Sequence, residues 1–329
     1  MQKILLLFLL IPVMPCPGQD DPGKAPPGQV SARIFTHFNV SLGRQESNTT
    51  FEVKRAYFGY ERHFGEFFSA EVKLDIGSPD DVSEFSLIRR YTYFKNAYLS
   101  YEKGKIKSWF GLFDMLQFKV QEKFWGYRYL FKSYMDEYRF GPSADLGAGI
   151  MFSPSRRLHA DLVISNGEGY TNLQFDNVYK AGAGLTLDPL EGLTFRAYYA
   201  LHMTEHPQMS ITGFAGFSTE RWRIGGEYIF QMNYRFNLDH DRYGYSVYAT
   251  YVFSGQWEMF ARYDQVYSNI LPESEVPWNL SNDGSAVISG IQYTPLENVN
   301  ISLNYQDWVE YAKNGELEPY LYLNFEINF

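Results

Sequence analysis

Apolar and polar residues take turns in segment after segment of this chain, and the polar member is often charged. Phe68, Ala70, Val72, Leu74 and Ile76 alternate with Ser69, Glu71, Lys73 and Asp75. Leu193, Phe195, Ala197, Tyr199 and Leu201 alternate with Thr194, Arg196, Tyr198 and His202. Val299, Ile301, Leu303 and Tyr305 alternate with Asn300, Ser302, Asn304 and Gln306, and Leu321 to Phe329 repeats the pattern. Period two places successive side chains on opposite faces of a β-strand. About sixteen such segments are expected, near 30–42, 50–62, 67–76, 93–103, 105–113, 144–153, 157–165, 178–187, 192–202, 210–217, 221–232, 242–253, 256–266, 285–294, 298–307 and 318–329. The stretch 210–217 carries the weakest signal.

The charges on the polar faces decide what these strands build. A soluble sandwich buries its apolar faces between sheets, and this many strands would require two domains and a linker. No proline- or serine-rich linker interrupts the chain. A barrel with lipid outside puts the apolar faces outward and the charges around a wet lumen. Connections alternate between tight ones, such as 63–66, 103–105, 254–255 and 295–297, and long ones, such as 77–92, 114–143, 166–177, 233–241 and 267–284. Short turns on one side and long loops on the other fit a membrane barrel with both ends on the short-turn side. Tyr and Phe number 27 each. Many of the aromatics, Trp109, Trp222, Tyr243, Trp257 and Trp308 among them, sit near strand ends, as girdles at a bilayer interface do. The expected fold is all-β, a transmembrane antiparallel β-barrel.

The first residues read as a targeting segment. Lys3 precedes an apolar run from Ile4 to Met14, the length of a secretory core and too short to span a bilayer. Cleavage after Gly18 is expected. This gives 1–18 as signal peptide, 19–28 as a flexible periplasmic leader and 29–329 as the barrel. Such a cut removes Cys16, the single cysteine, and with it disulfide and thiolate chemistry. The formal charge is −9 with no concentrated basic stripe, which argues against nucleic acid as a partner. Outer-membrane lipid is the expected surrounding.

Stretches along nearly the whole mature chain carry a resemblance. They are VKRAYFGYERHFGEFFSAEVKLDIG (53–77), KNAYLSYEK (95–103), GLFDMLQFKVQEKFWGYRYLF (111–131), ADLGAGIMF (144–152), RIGGEYIF (223–230), YGYSVYATYVF (243–253), WEMFARYD (257–264) and YTPLENVNISLNYQDW (293–308). Taken in order, they resemble the phosphate-selective porin-like family of the O and P type. The resemblance implies a sixteen-stranded homotrimeric outer-membrane channel with a long loop folded into the lumen as a constriction. It also implies that Phe329 is a signal read by the barrel assembly machinery. A capping lipoprotein is a further candidate partner. The chain is shorter than typical members and shows no run of inward arginines along one strand.

Candidate lumen-wall residues are Arg55, Lys73, Lys107, Lys180, Arg196, Arg223 and Arg262, with Glu71, Glu227 and Asp264 among the acids. Candidate constriction residues come from the longest loop, 114–143: Lys119, Lys123, Arg128, Lys132 and Arg139. Its aromatics, Phe124, Trp125, Tyr127, Tyr129, Phe131 and Tyr134, exceed what a solvated outer loop carries, so the loop is expected to pack inward. A basic excess at a narrow, low-dielectric rim favours anions. The expected function is passive diffusion of small hydrophilic solutes or ions, with weak anion preference and no cofactor. The alternatives are a non-conducting barrel acting as adhesin or partner-capped scaffold and, behind it, a barrel-embedded hydrolase. No GxSxG occurs. His202 and His206 flank a loop and are a weak metal pair at best.

Overall fold

The computed structural model describes residues 28–43, 49–77, 91–172, 174, 176–269, 283–310 and 319–329. The expected signal peptide and nearly all of the expected leader lie outside the described residues, as do most of 77–92, 267–284 and 308–317. Sixteen strands form the wall. They are β1 (Gly28–Ser41), β2 (Thr49–Phe64), β3 (Phe68–Gly77), β4 (Tyr91–Lys103), β5 (Ile106–Asp114), β6 (Ala144–Ser155), β7 (Leu158–Ser165) and β8 (Lys180–Leu190). Then come β9 (Leu193–His202), β10 (Gln208–Ser218), β11 (Trp222–Met232), β12 (Arg242–Ser254), β13 (Trp257–Ser268), β14 (Gly284–Leu296), β15 (Val299–Glu310) and β16 (Tyr320–Asn328). The weakly signalled stretch is thus a full strand, β10.

Each strand pairs antiparallel with its sequence neighbours, and β16 returns to β1, so the sheet closes without an edge. Closure runs from Arg33 opposite Asn328 to Ser41 opposite Tyr320. Phe329 extends it: its N–H donates to the Ala32 carbonyl at 2.8 Å, and its carbonyl accepts from the Ala32 N–H at 3.3 Å.

Alternation sets the two faces. Phe110, Ile211 and Leu303 are 73%, 60% and 54% exposed on the outside. Their inward neighbours Thr212 and Asn304 are buried. Large apolar residues left in the open over most of the outer surface have no place in water and suit hydrocarbon. No helix among the described residues is long and apolar enough to cross a membrane; strands do the crossing here. Two aromatics assigned to girdles by position face inward instead. Trp109 stacks on Phe113 at 6.2 Å, and Trp308 stacks on Tyr138 at 5.5 Å. Both pack beside clusters that include residues of the 115–143 connection.

Candidate pore constriction

The connection between β5 and β6 enters the barrel. Its neck is closed by the Met115 N–H donating to the Ser143 carbonyl at 3.1 Å. Within it lie α1 (Lys119–Trp125) and the four-residue α2 (Tyr134–Glu137). Gly126 ends α1 at φ 76°, a left-handed conformation that glycine adopts freely. A Cβ there would also meet the Arg223 guanidinium at 2.9 Å.

Aromatic packing fixes the segment to one side of the lumen. Trp125, Tyr127, Tyr129 and Leu130 are buried with Phe214, Tyr248, Phe260 and Ile288 of the wall. Phe118, Tyr134, Met135, Tyr138 and Phe140 are buried with Ile229 and Val266. The inner wall from β10 to β14 therefore carries apolar side chains among its buried polar ones where the segment sits.

Much of the polar anchoring runs through the main chain of the segment. Arg196 donates to the Leu116 carbonyl at 2.8 Å, Arg262 to Lys132 at 2.7 Å, Arg242 to Tyr138 at 2.6 Å and Arg223 to Trp125 at 3.5 Å. Gln231 donates to the Phe140 carbonyl at 3.2 Å. Arg196 also pairs with Asp161 at 2.7 Å, and Arg262 with Asp264 at 2.7 Å. Hydrogen bonds to charged groups contribute about 1.5–3 kcal/mol each. Three of the sequence-derived wall cations, Arg196, Arg223 and Arg262, thus lie on the inner face but under the segment, where they hold it. Lys180 does likewise, donating to the Gln117 side chain at 3.1 Å. Glu227 is buried on the same wall. Lys107 pairs with Glu102 at 2.7 Å beside the short β4–β5 turn, away from the narrow part. Lys73 pairs with Glu71.

Open space remains on the opposite side, against β1 to β4. Two cavities lie there, and a third follows them among the inserted segment, the β7–β8 connection and the β11–β12 connection, meeting the first strands only at Arg55. The first, about 490 Å³, is nearer the short turns and is lined by Arg33, Lys73, Lys119, Glu122 and Asn328, among others. The second, about 320 Å³, lies between β1, β2, β16 and the inserted segment. The third, about 520 Å³, opens toward the long loops and is lined by Arg139, Glu168 and Arg235, among others. Tyr57 and Arg128 line both the first and the second; Arg55 and Lys132 line both the second and the third. The junction of the first two is the candidate throat. There Arg128 and Arg55 donate to the Tyr57 hydroxyl at 3.4 and 3.3 Å.

Two β-bulges supply cations that alternation alone would send outward. Phe35 pairs with Arg55 and Thr36 with Val53, so Lys54 is the extra residue of β2. Lys73 pairs with Asn96 and Leu74 with Phe94, so Lys95 is the extra residue of β4. A bulge re-aims a side chain. Lys54 reaches the Leu130 carbonyl at 2.8 Å. Lys95 reaches the Ser143 hydroxyl at 2.5 Å and lies 4.4 Å over the Tyr170 ring. Sequence reasoning missed both, and Tyr57 and Arg242 with them. The available signal was a polar doublet inside an alternating strand, Lys54-Arg55 and Lys95-Asn96.

The five loop cations divide. Arg128 sits between Glu122 at 3.1 Å and Asp136 at 2.5 Å. Lys119 sits between Asp114 at 2.8 Å and Glu122 at 3.1 Å. Lys132 lines the second and third cavities. Lys123 and Arg139 are exposed. Lys123 lines none of the three cavities. Among the described residues no carboxylate lies within ion-pair distance of the Lys54 or Lys132 ammonium groups, whereas Arg55 has Asp75 at 3.3 Å. Along the path past Arg128, Lys54 and Lys132 are therefore cations not taken up in ion pairs among the described residues.

Burial pushes the Asp136 carboxyl up, but the neighbouring Arg128 guanidinium overrides this and holds it below the ordinary carboxylate range. A depressed carboxylate contributes stability above its unfolded value, about 3.9, and loses it only as pH falls through the lowered one. Protease protection of residues 115–143 should thus be equal at about pH 7 and about pH 5. Loss of protection by the milder pH would show that the Arg128–Asp136 pair does not hold the segment.

Among the described residues no cluster of His, Cys, Asp or Glu is placed to hold a metal. His202 lies edge-on to Phe236 at 4.9 Å.

No family model matches this chain, and no curated protein matches it. Solved structures do. The outer membrane channel DcaP of Acinetobacter baumannii superposes with a TM-score of 0.70 at 10% identity, covering 92% of this chain and 97% of that one. OmpF of Salmonella typhi, solved in complex with daunomycin, gives 0.71 at 12% identity, with coverage of 92% and 97%. OprB of Pseudomonas putida gives 0.66 at 7% identity, with coverage of 92% and 94%. The chain has the fold of outer-membrane porins, a closed sixteen-strand antiparallel barrel.

Proposed function

We propose that this protein is an outer-membrane porin, a passive channel for small hydrophilic solutes and ions with a preference for anions, akin to the phosphate-selective porin-like family. The observation that carries the reading is the row of three cavities beside the inserted segment. Tyr57 and Arg128 stand where the first two meet, and the Lys54 and Lys132 ammonium groups flank the second. Fixed cations at a low-dielectric constriction raise the local anion concentration. Assembly as a homotrimer, and recognition of Phe329 by the assembly machinery, belong to the same proposal. A capping lipoprotein at one mouth remains compatible with it. The Arg128–Tyr57 contact across the throat favours a second reading, a closed barrel serving as adhesin or scaffold.

Reversal potential in a potassium chloride gradient across a planar bilayer separates them. The parent should conduct with anion preference. Lys54→Glu combined with Lys132→Glu should move the reversal potential toward cations in a barrel that still shows a heat-dependent gel shift. A parent that never conducts supports the closed barrel, and a cation-preferring parent overturns the anion reading.

A further inference from the structure

The second cavity offers more than positive charge. One part of its lining is ring: Phe35 meets Tyr57 edge-on at 5.8 Å, and His37 meets Tyr322 edge-on at 5.2 Å. Another part is Lys54 from β2, which donates to the Leu130 carbonyl, and Lys132 from the inserted segment; among the described residues neither has a carboxylate at ion-pair distance, though Glu52 lines the same cavity. His37 is 7% exposed, lines the cavity, and has an Nδ1 with no hydrogen-bond partner. Its Nε2 lies 3.5 Å from Glu52. The volume, about 320 Å³, is at the lower end of small-ligand pockets.

We propose that this cavity is a binding subsite for a small carboxylate joined to a flat aromatic ring. The inference rests on the anion path proposed above and names the solute class that one stretch of it takes. A carboxylate accepts from the two ammonium groups. The ring meets the edges and faces of Phe35, Tyr57 and Tyr322, whose quadrupoles favour another aromatic over an aliphatic body of equal size. An inorganic anion would satisfy the lysines and make no use of the rings. A neutral aromatic would leave both ammonium groups with no carboxylate at ion-pair distance.

The test uses the folded barrel in detergent, with benzoate, cyclohexanecarboxylate and inorganic phosphate as probes at matched ionic strength. Saturation-transfer NMR reads binding. Benzoate should bind severalfold more tightly than cyclohexanecarboxylate, and phosphate should displace it poorly. Lys54→Met with Lys132→Met should weaken benzoate by about tenfold or more. Phe35→Leu should bring benzoate down to the level of cyclohexanecarboxylate. Tyr322→Leu serves the same purpose should the Phe35 variant fail its gel-shift check. Equal binding of the two carboxylates, ready displacement by phosphate, or indifference to the lysine pair overturns the subsite. Reversal potential on the same preparation keeps the two proposals apart. A cation-preferring barrel that still binds benzoate by ring and lysine sinks only the anion channel. An anion-preferring barrel that ignores benzoate sinks only the subsite.

Discussion

Arg262→Met will unseat the inserted segment. The Arg262 and Asp264 side chains are 1% and 0% exposed and joined by two hydrogen bonds of 2.8 and 2.7 Å. Asp264 also accepts from Tyr138 at 2.9 Å. The guanidinium further lies 4.8 Å over Trp125 and 5.2 Å over Phe131. Removing one partner of a buried pair costs about 3–5 kcal/mol because the other charge stays uncompensated. Asp264 can recover water only if the segment withdraws, so the cost falls on seating rather than on the barrel. Trypsin should then cut at Lys119, Lys123, Arg128 or Lys132, and conductance should rise. Replacing both members, Arg262→Met with Asp264→Leu, should restore much of the protection, since an apolar pair of similar volume is often neutral. A single variant as protected as the parent would show that the aromatic clusters alone hold the segment.

The second large effect lies on the outer face. Leu323 stands opposite Phe38 on β1 and Leu303 on β15, all on the apolar exterior. Leu323→Arg should cost about 2–4 kcal/mol if the residue lies near mid-membrane. Its neighbour Tyr322 lines the second cavity; Tyr322→Lys, at the same depth, should insert as the parent does. Refolding into lipid vesicles under a urea series measures both. Equal midpoints for the two variants would refute the assignment of faces.

The wall was legible because lipid enforces alternation: a run such as Phe68 to Ile76 has one workable orientation. The narrow part was not, for two reasons. Bulges at Lys54 and Lys95 break the period at the positions that face the path. Beneath the segment, Phe214, Ile229, Phe260 and Ile288 are apolar although they face inward. Composition there no longer separates lumen from lipid. Arg196, Arg223 and Arg262 could be assigned to a side by period two, but their role needed the path of residues 115–143. That path depends on contacts distant in sequence, such as Arg262 with Lys132.

The anchors of the segment read carbonyl oxygens at Leu116, Trp125, Leu130, Lys132, Tyr138 and Phe140. Every amino acid supplies a carbonyl. Side chains that point from the segment into the path can therefore be exchanged without losing these six grips. Divergence can retune what passes while the wall stays unchanged. For an engineer, the path-facing positions are an interchangeable set mounted on a segment whose buried aromatics must stay.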